Sequence, residues 1–355
     1  HPFAVIFCDF SIYCNVFKRY CENSLLGDKM KIAVVANEFY PIIGGGQNHL
    51  LNIYKRLVKN GHQVVIYTMY DREIKDVPRI EYYDGIRVER FKAFRMRKPF
   101  FYPFSFGLLS KLIKEDYDVL QFNCFDIVGF YGFFLKKLKK RKYFVHTHGF
   151  SWEAPTLLSK IFIPFFNFFI VKPTMKYADG VFCVSMHDKK EVEKIRKKNV
   201  YYVSTAVDTK PFKIRRKKRD KVIIGEIARI NSVKNQITFV KAAAEVLKRH
   251  KNIEFLIAGS KEDGEYFNKV VNLIKGLDIE DYFRVYANVE RGKIYDLYTK
   301  IDIYVMPSIL EPGEPVSIIE AWAAGAAVIT SSTGGPKYLV EEGVTGYHVD
   351  PLDHM

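Results

Sequence analysis

The sequence predicts an α/β protein built from two doubly wound parallel-sheet domains. Its 355 residues correspond to about two domains, and its 48% apolar and 27% charged residues are typical of globular proteins. Short apolar runs alternate with amphipathic segments, which is the pattern of parallel strands joined by crossover helices. The alternation pauses at the basic segment 206–221 and then resumes. We therefore expect domains at 30–205 and 222–355 with a linker between them.

The first series of elements starts at Lys31. The run KIAVVAN is a short buried strand, a glycine-rich turn follows it, and HLLNIYKRLVKNG is an amphipathic helix that ends at Gly61. Further strands, each separated by enough chain for a helix, are expected at 62–68, 86–91, 118–123, 142–148 and 180–185.

The second series starts at Val222. Its strands are expected at 222–228, 253–260, 283–289, 301–307 and 326–332. Its helices are expected at 235–249, 264–277, 290–299 and 315–324. Open α/β sheets bind ligands beyond the carboxyl ends of their strands, so two such domains facing each other would form a cleft.

Residues 1–29 differ from the rest of the chain. They hold three of the five cysteines, do not begin with Met, and precede Met30-Lys31-Ile32, which resembles a natural start. They also lack the basic region and the small-residue cleavage site of a signal peptide. We therefore expect residues 1–29 to be an extraneous or disordered extension.

The composition excludes several classes of protein. No apolar run reaches the length of about 18 residues that a membrane-spanning helix needs, and the most apolar stretch, 161–171, is flanked by Lys160 and Lys172. The five cysteines include no C-x-x-C pair, so neither a disulfide framework nor a zinc site is indicated. A reducing compartment fits this cysteine usage best.

Charge is distributed unevenly along the chain. The net charge is +15 overall, while residues 222–355 carry 14 basic and 19 acidic side chains and residues 1–221 carry the remaining excess of +20. A basic half can face nucleic acid, an anionic membrane or an acidic substrate, and charge alone does not choose among them. A solvated lysine-rich surface explains it equally well.

Three consecutive glycines, Gly44, Gly45 and Gly46, lie between a strand and a helix. Such a turn lets the backbone approach a ligand, and the helix offers unpaired N–H groups to an anion. A dinucleotide fingerprint would need glycine where His49 stands, and no phosphate-loop Gly-Lys-Ser/Thr occurs. Asp71 after the second strand still allows a nicotinamide cofactor, although it is disfavoured. A donor-binding turn and a purely structural turn both remain open.

Two cations and one buried acid are candidates in the second domain. Arg229 and Lys234 flank a turn after the strand VIIGEIA, where two cations can converge on one diphosphate and neutralise a leaving group. Ordinary surface charge is the alternative. Glu320 lies in the apolar helix IIEAW, where an unpaired carboxylate would be costly, so a ribose diol or an intrachain donor should satisfy it.

His148 is the candidate in the first domain. It stands at the end of the strand KYFVHTH, where α/β proteins place functional groups. A single histidine is, however, more often structural than catalytic.

Taken in order, these motifs resemble glycosyltransferase family 4, the retaining sugar transferases of GT-B fold. The resemblance runs from Met30 to Met355 through YPIIGGGQNHLLNIYKRLVKNG, FVHTHGF, ADGVFCVS, GEIARINSVKN and PSILEPGEPVSIIEAWAAG. No single piece is specific, but their order and spacing are. The chain ends before the helices that normally close the second domain of this family, so we expect that domain to be truncated.

The resemblance assigns roles to individual residues. It implies that Arg229 and Lys234 grip the donor diphosphate, that Glu320 holds the ribose, and that His148 lies on the acceptor side. The family has seven residues between two glutamates, whereas eight separate Glu311 from Glu320, which indicates one inserted residue and gives Glu311 the first role, with Glu314 as the alternative. The donor sugar would lie against residues 311–318, which include Gly313, Glu314, Pro315, Val316 and Ser317.

We therefore expect a glycosyltransferase that moves a sugar from a nucleoside-diphosphate sugar to an acceptor hydroxyl with retention, in glycan, glycolipid or polysaccharide synthesis. No cofactor is expected, and no acidic cluster suited to a metal ion is evident. A non-catalytic GT-B-like binding subunit and a basic nucleic-acid-binding protein are the alternatives, and no nucleic-acid motif supports the latter.

The expected partners are the sugar donor, a glycan or lipid-linked acceptor and an anionic membrane surface. Two aromatic and basic stretches, 94–114 and 157–172, have the composition of a membrane-interface surface. This predicts a cytoplasmic protein that is peripheral at the inner face of the membrane. A buried helix is the alternative for the second stretch.

Overall fold

The computed structural model describes residues 12–13, 15–17, 29–41, 44–70, 76–95, 103–149, 157–205, 207–212 and 220–353. Residues 207–353 form one compact unit, and the described residues before them form the other. Most of residues 1–29 and of the expected linker 206–221 lie outside the described residues.

The first unit is a sheet flanked by helices. Its strands are β1 (Lys31–Val35), β2 (Gln63–Met69), β3 (Ile80–Tyr83), β4 (Ile86–Phe91), β5 (Phe94–Arg95), β6 (Pro103–Phe104), β7 (Val119–Phe122), β8 (Tyr143–Thr147), β9 (Gly180–Cys183) and β10 (Val200–Tyr202). Its helices are α1 (Gly45–Lys59), α2 (Phe106–Lys114), α3 (Ile127–Lys139), α4 (Leu157–Phe166), α5 (Lys172–Tyr177) and α6 (Met186–Glu193). A π-helical segment, Asn167–Val171, joins α4 to α5.

The strand order of the main sheet is β10-β9-β8-β7-β1-β2-β4-β3. All neighbours are parallel except β3, which runs antiparallel to β4, so the predicted parallel sheet has one antiparallel edge. The chain leaves β1 toward β2 on one side and returns through β7 on the other, so the sheet has its switch point between β1 and β7. The short strands β5 and β6 pair separately.

The sheet is buried on both faces, which explains why its strands are almost continuously apolar. In β1, Ile32 and Val34 pack toward the helix α1, whereas Ala33 and Val35 belong to the opposite core. The helix α1 contributes its apolar stripe to the first of these cores, as its 3.6-residue periodicity predicts.

The structure places residues 12, 13 and 15–17 within the fold, whereas residues 1–29 were expected to be an extraneous or disordered extension. They are helical, and Tyr13 and Phe17 are fully buried in the core that contains α1. Tyr13 stacks on Phe182 with ring centroids 4.5 Å apart, and Phe17 meets Phe144 edge-on at 5.1 Å. Aromatic rings bury large apolar areas, so this segment covers part of the sheet that would otherwise face water.

The second unit is an all-parallel sheet with helices on both faces. Its strands are β11 (Val222–Ile227), β12 (Ile253–Gly259), β13 (Phe283–Ala287), β14 (Ile303–Met306), β15 (Ala327–Ser331) and β16 (Tyr347–Val349). Its helices are α7 (Gln236–Leu247), α8 (Gly264–Gly276), α9 (Arg291–Tyr298), α10 (Val316–Ala323) and α11 (Pro336–Leu339). The order β13-β12-β11-β14-β15-β16 places the switch point between β11 and β14.

Candidate functional site

The candidate donor residues of the second unit lie at the switch point of its sheet. Arg229 and Lys234 belong to the loop that follows β11, and Glu311 belongs to the loop that follows β14. Since β11 and β14 are hydrogen-bonded neighbours, their carboxyl ends bring the two loops together. This is the edge at which open α/β sheets bind their ligands.

An ion pair connects the two loops. The ammonium group of Lys234 contacts the carboxylate of Glu311, and the two side chains are only 10% and 17% exposed. At such low exposure solvent screens the attraction weakly, so removing either charge would leave the other poorly compensated. The Asn231 side-chain oxygen accepts a hydrogen bond from the Lys234 N–H at 3.1 Å and shapes the turn before α7.

Arg229 has a different environment from Lys234. Its side chain is 60% exposed, and Nη1 lies 3.2 Å from a carboxylate oxygen of Glu262. The structure therefore brings both cations to the same edge of the sheet but pairs them with different carboxylates. Their convergence on one diphosphate stays a prediction.

The loop that carries Glu311 packs against two glycines that follow β15. The Gly335 N–H donates to the Glu311 carbonyl at 2.8 Å. A Cβ at Gly334 would lie 2.0 Å from the carbonyl oxygen of Glu311, and a Cβ at Gly335 would lie 1.8 Å from that of Gly313. Gly334 also has a φ of +56°, a conformation that side chains disfavour. No residue larger than glycine fits at either place without moving the loop.

Three further members of the predicted donor set lie at the start of α10. The helix begins at Val316, directly after Pro315, and includes Ser317. Because the chain enters α10 from the carboxyl end of β14, the N-terminal turn of the helix lies at the same edge of the sheet, and of its backbone N–H groups that of Ile318 bonds to the Pro315 carbonyl at 3.2 Å. Glu320 on α10 is buried, as its apolar surroundings in sequence predicted, and Glu314 in the preceding loop is buried as well.

The sequence did not reveal one buried acid beneath this site. Glu226 in β11 is fully buried, and its carboxylate accepts a hydrogen bond from Gln236 Nε2 at 3.0 Å. The same Gln236 nitrogen donates to the Arg229 carbonyl at 3.1 Å, which supports the loop. Burial raises the pKa of Glu226 well above its usual range. The available signal was an acid inside the apolar strand VIIGEIA.

The first unit has a cavity of about 300 Å³ at its own switch point. Asn37 follows β1, Asn123 follows β7 and His148 follows β8, and all three line the cavity. Gly46, at the start of α1, also lines the cavity, and a Cβ at this position would lie 3.7 Å from His148 Nδ1. The structure thus brings two sequence-predicted features, the glycine turn and His148, to one place. Gly44 caps α1 and Gly45 is its first residue, so these two glycines form the turn itself.

His148 belongs to a cluster that sequence reasoning missed. Its Nε2 lies 2.9 Å from His146 Nδ1, and His146 Nε2 lies 2.6 Å from the hydroxyl of Tyr13. The ring of His49 stacks on that of His146 with centroids 5.3 Å apart. His146 lies on β8 and His148 directly follows that strand, two residues further on, so strand alternation in sequence predicts a shared face for these two. Nothing in the sequence indicates that Tyr13 or His49 joins them.

Burial controls the charge of this cluster. Desolvation lowers the pKa of His148 to about 4, and it lowers the pKa values of His49 and His146 well below their usual range. The three rings are therefore neutral at pH 7. Since Nε2 of His148 is bonded to His146, its Nδ1 is the nitrogen that lies toward Gly46 and the cavity.

Two kinds of feature are absent from the described part of the chain. There, no group of three or more His, Cys, Asp or Glu side chains could hold a metal ion. Among the same residues, no helix combines the length and the apolar character needed to cross a bilayer.

Comparison with known families decides the class of protein. A family model described as Glycosyltransferase Family 4 matches residues 43–211, and one described as Glycosyl transferases group 1 matches residues 207–355. The chain belongs to glycosyltransferase family 4. Together the two matched ranges run from residue 43 to residue 355, so they include His148 as well as the loops after β11 and β14 of this glycosyltransferase.

Relatives extend over most of the glycosyltransferase. An uncharacterized glycosyltransferase of Methanocaldococcus jannaschii is 25% identical over 91% of this chain and 85% of its own length. The phosphatidylinositol N-acetylglucosaminyltransferase GPI3 subunit of Saccharomyces cerevisiae is 24% identical over 88% of this chain and 70% of its own length.

A solved structure confirms the expected GT-B fold of the glycosyltransferase. Anabaena HepE, solved in complex with UDP and glucose, aligns with a TM-score of 0.67 at 18% identity. The alignment covers 92% of this chain and 87% of that one.

Proposed function

We propose that this glycosyltransferase transfers a sugar from a nucleoside-diphosphate sugar to an acceptor hydroxyl with retention of anomeric configuration and without a metal ion. The observation that carries the proposal is the junction of the loops after β11 and β14, where Lys234 contacts Glu311, Arg229 lies in the same loop as Lys234, and α10 begins five residues after Glu311. The junction offers two cations, helix N-terminal amides and a carboxylate at a switch point.

Each part of that junction suits one part of the donor. Arg229, Lys234 and the first amides of α10 would bind the diphosphate and stabilise its charge as the sugar–oxygen bond breaks. Glu320 would accept hydrogen bonds from a ribose diol, and Glu311 would orient the sugar. The relative from Anabaena, solved with UDP and glucose, supports a nucleotide-sugar donor of this kind.

Retention is proposed from the resemblance to the retaining enzymes of glycosyltransferase family 4, and the state of the carboxylates bears on which retaining mechanism operates. A double displacement would need a carboxylate nucleophile beneath the anomeric carbon. Glu311 is held by Lys234, and Glu226 is buried beneath the loop with a raised pKa. Attack by the acceptor on the face from which the diphosphate departs, through an oxocarbenium-like transition state, needs no such nucleophile.

The acceptor is proposed to bind at the cavity of the first unit. His148 is neutral there and offers one ring nitrogen to a hydroxyl group, while Asn37 and Asn123 add amide groups. The name of the yeast relative refers to a phosphatidylinositol acceptor, which supports a glycan or lipid-linked acceptor over a free metabolite.

Calorimetric titration of the protein with UDP-, GDP- and ADP-sugars, with and without EDTA, tests the donor proposal. One class should bind, EDTA should leave binding unchanged, and transfer should give a product of the donor's anomeric configuration by NMR. An inverted product or a strict metal requirement contradicts the proposal. Donor binding without any transfer or hydrolysis would instead identify a non-catalytic binding subunit.

A further inference from the structure

One face of the first unit exposes large aromatic side chains. It is formed by α3 and by the continuous helical segment 157–177, in which the π-helical residues connect α4 to α5. The exposed positions of that segment recur at helical spacing and comprise Lys160, Pro164, Phe165, Phe168, Phe169, Lys172, Lys176 and Tyr177. Val171, Thr174 and Met175 lie on the opposite, buried side. The usual polar outer face of a surface helix is here replaced by an aromatic stripe.

The aromatic side chains are exposed and adjacent. Phe165 and Phe168 are 62% and 61% exposed, and Phe169 contacts both of their rings, at 4.3 and 5.0 Å. On α3, Leu138 is 73% exposed and Phe134 is exposed beside it. Isolated exposed apolar side chains need no explanation, but a contiguous set of this size marks an interaction surface.

Contacts across the two helices make this one surface. The ring of Phe133 on α3 lies 5.2 Å from that of Tyr177, and the Lys137 ammonium stands over Tyr177 at 4.6 Å. Lys172 stands over Phe168 at 5.7 Å. We call α3 and the exposed stripe of 157–177 the aromatic-basic face.

The charge of the aromatic-basic face has a single sign. Residues 127–139 and 157–177 contain six lysines and no aspartate or glutamate. Lys136 is paired with Asp179 at 2.7 Å, whereas Lys137 and Lys172 lie over aromatic rings. Lysines placed on aromatic rings at an exposed surface can extend to phosphate groups while the rings enter an apolar layer.

We infer that the aromatic-basic face docks the protein on the surface of an anionic lipid bilayer. The aromatic stripe suits the boundary between headgroups and acyl chains, and the lysines around it suit anionic headgroups. The inference stands independently of the sugar-transfer proposal, because it rests on a different surface.

This location refines the expectation from sequence. The expected stretch 157–172 contributes, and its aromatic residues 165, 168 and 169 are exposed instead of buried in a helix. The basic helix α3, which sequence reasoning had not included, forms the other part. In the stretch 94–114, Phe94 and Phe106 are exposed, and Phe106 contacts Phe104, whose ring lies 5.9 Å from that of Tyr131 on α3. Residues 96–102 of this stretch lie outside the described residues.

Cosedimentation with vesicles tests the inference. The protein should bind vesicles of phosphatidylcholine and phosphatidylglycerol, more strongly as the anionic fraction rises and more weakly as salt rises, and should bind neutral vesicles poorly. The double variant Lys137→Gln/Lys172→Gln should lower the partition coefficient about thirtyfold, or about fivefold for each lysine. The variant Phe168→Ser/Phe169→Ser should lower it about tenfold or more.

Matched controls lie in the second unit. Lys269→Gln and Tyr286→Ser remove an exposed lysine and an exposed aromatic ring there, and should leave vesicle binding unchanged. All variants should keep the nucleotide affinity of the unmodified protein, which separates this inference from the donor proposal. Failure to bind anionic vesicles at low salt would overturn the inference. Equal vesicle binding by the unmodified protein and all variants would also overturn it. So would ultracentrifugation without lipid that shows self-association of the unmodified protein and its loss in the variants of the aromatic-basic face, because that face would then bind a second copy of the chain.

Discussion

Acidification should destabilise the first unit through His148. Its pKa is about 4 in the folded protein because burial disfavours the charged ring, whereas in the unfolded chain it is about 6.5. The unfolded chain therefore binds a proton as the pH falls through about 6.5, and the folded protein does not until about pH 4. The stabilisation is present above pH 6.5 and is lost as the pH falls toward 4. Between pH 7 and pH 5 the loss amounts to about 2 kcal/mol for this one group.

The assay compares the unmodified protein with His148→Asn by urea unfolding at pH 7 and pH 5, followed by a probe in the first unit. The unmodified protein should lose about 2 kcal/mol more than the variant over this interval, because groups outside the histidine cluster are common to both and the desolvation that chiefly lowers the pKa values of His49 and His146 remains in the variant. His250→Asn, at an exposed position of the second unit, is the matched control and should behave like the unmodified protein. NMR of the imidazole protons should show His148 neutral down to about pH 4. Equal losses in the unmodified protein and His148→Asn, or titration of His148 near pH 6.5, would refute the reasoning.

Three predictions concern the donor site. Lys234→Ala should lower turnover about 10²- to 10³-fold, because the charge that develops on the leaving diphosphate is no longer stabilised by the ammonium group. Turnover is measured as donor hydrolysis or transfer, and normal turnover would show that Lys234 does not bind the diphosphate. Glu320→Gln should weaken binding of the free nucleoside diphosphate, whereas Glu311→Gln should weaken binding of the intact sugar donor only. Calorimetry measures both affinities, and the reverse pattern would exchange the ribose-binding and sugar-binding roles of the two glutamates. Gly335→Ala should displace the loop that carries Glu311 and lower the free energy of unfolding by about 1–3 kcal/mol. Gly276→Ala, with nothing within 4 Å of the new Cβ, should not lower it. Equal melting temperatures of the two variants would contradict this prediction.

The regular core of the fold could be predicted from sequence. The expected strand at 86–91 has those bounds in the structure, and the helix expected at 264–277 ends one residue earlier. Strands β3, β10 and β16 were missed because each is an edge strand of three or four residues with partly exposed side chains. Such strands depend on a neighbour for their hydrogen bonds and carry little periodicity of their own.

The candidate site could be predicted only where its residues follow strands in sequence. Lys234 and Glu311 each follow a strand, and adjacency of β11 and β14 was needed to pair them. The hydrogen bond between Tyr13 and His146 spans 133 residues, so no local sequence pattern indicates it. Glu226 is visible in sequence as an acid inside an apolar strand, but its position beneath the loop depends on the hydrogen bond that it accepts from Gln236 in the folded protein.

Backbone atoms make the contact between the loop that carries Glu311 and the two glycines after β15, Gly334 and Gly335. Because the Gly335 N–H bonds to the carbonyl of Glu311, this part of the loop's support does not depend on which side chain stands at position 311. Side chains hold the loop elsewhere, through the ion pair of Lys234 with Glu311 and the hydrogen bond from the Ser317 hydroxyl to Met306 Sδ at 3.7 Å. A substitution at the half-buried Val316 can then alter the surface offered to a ligand while the backbone contact stays in place, so donor selectivity can change within the same fold.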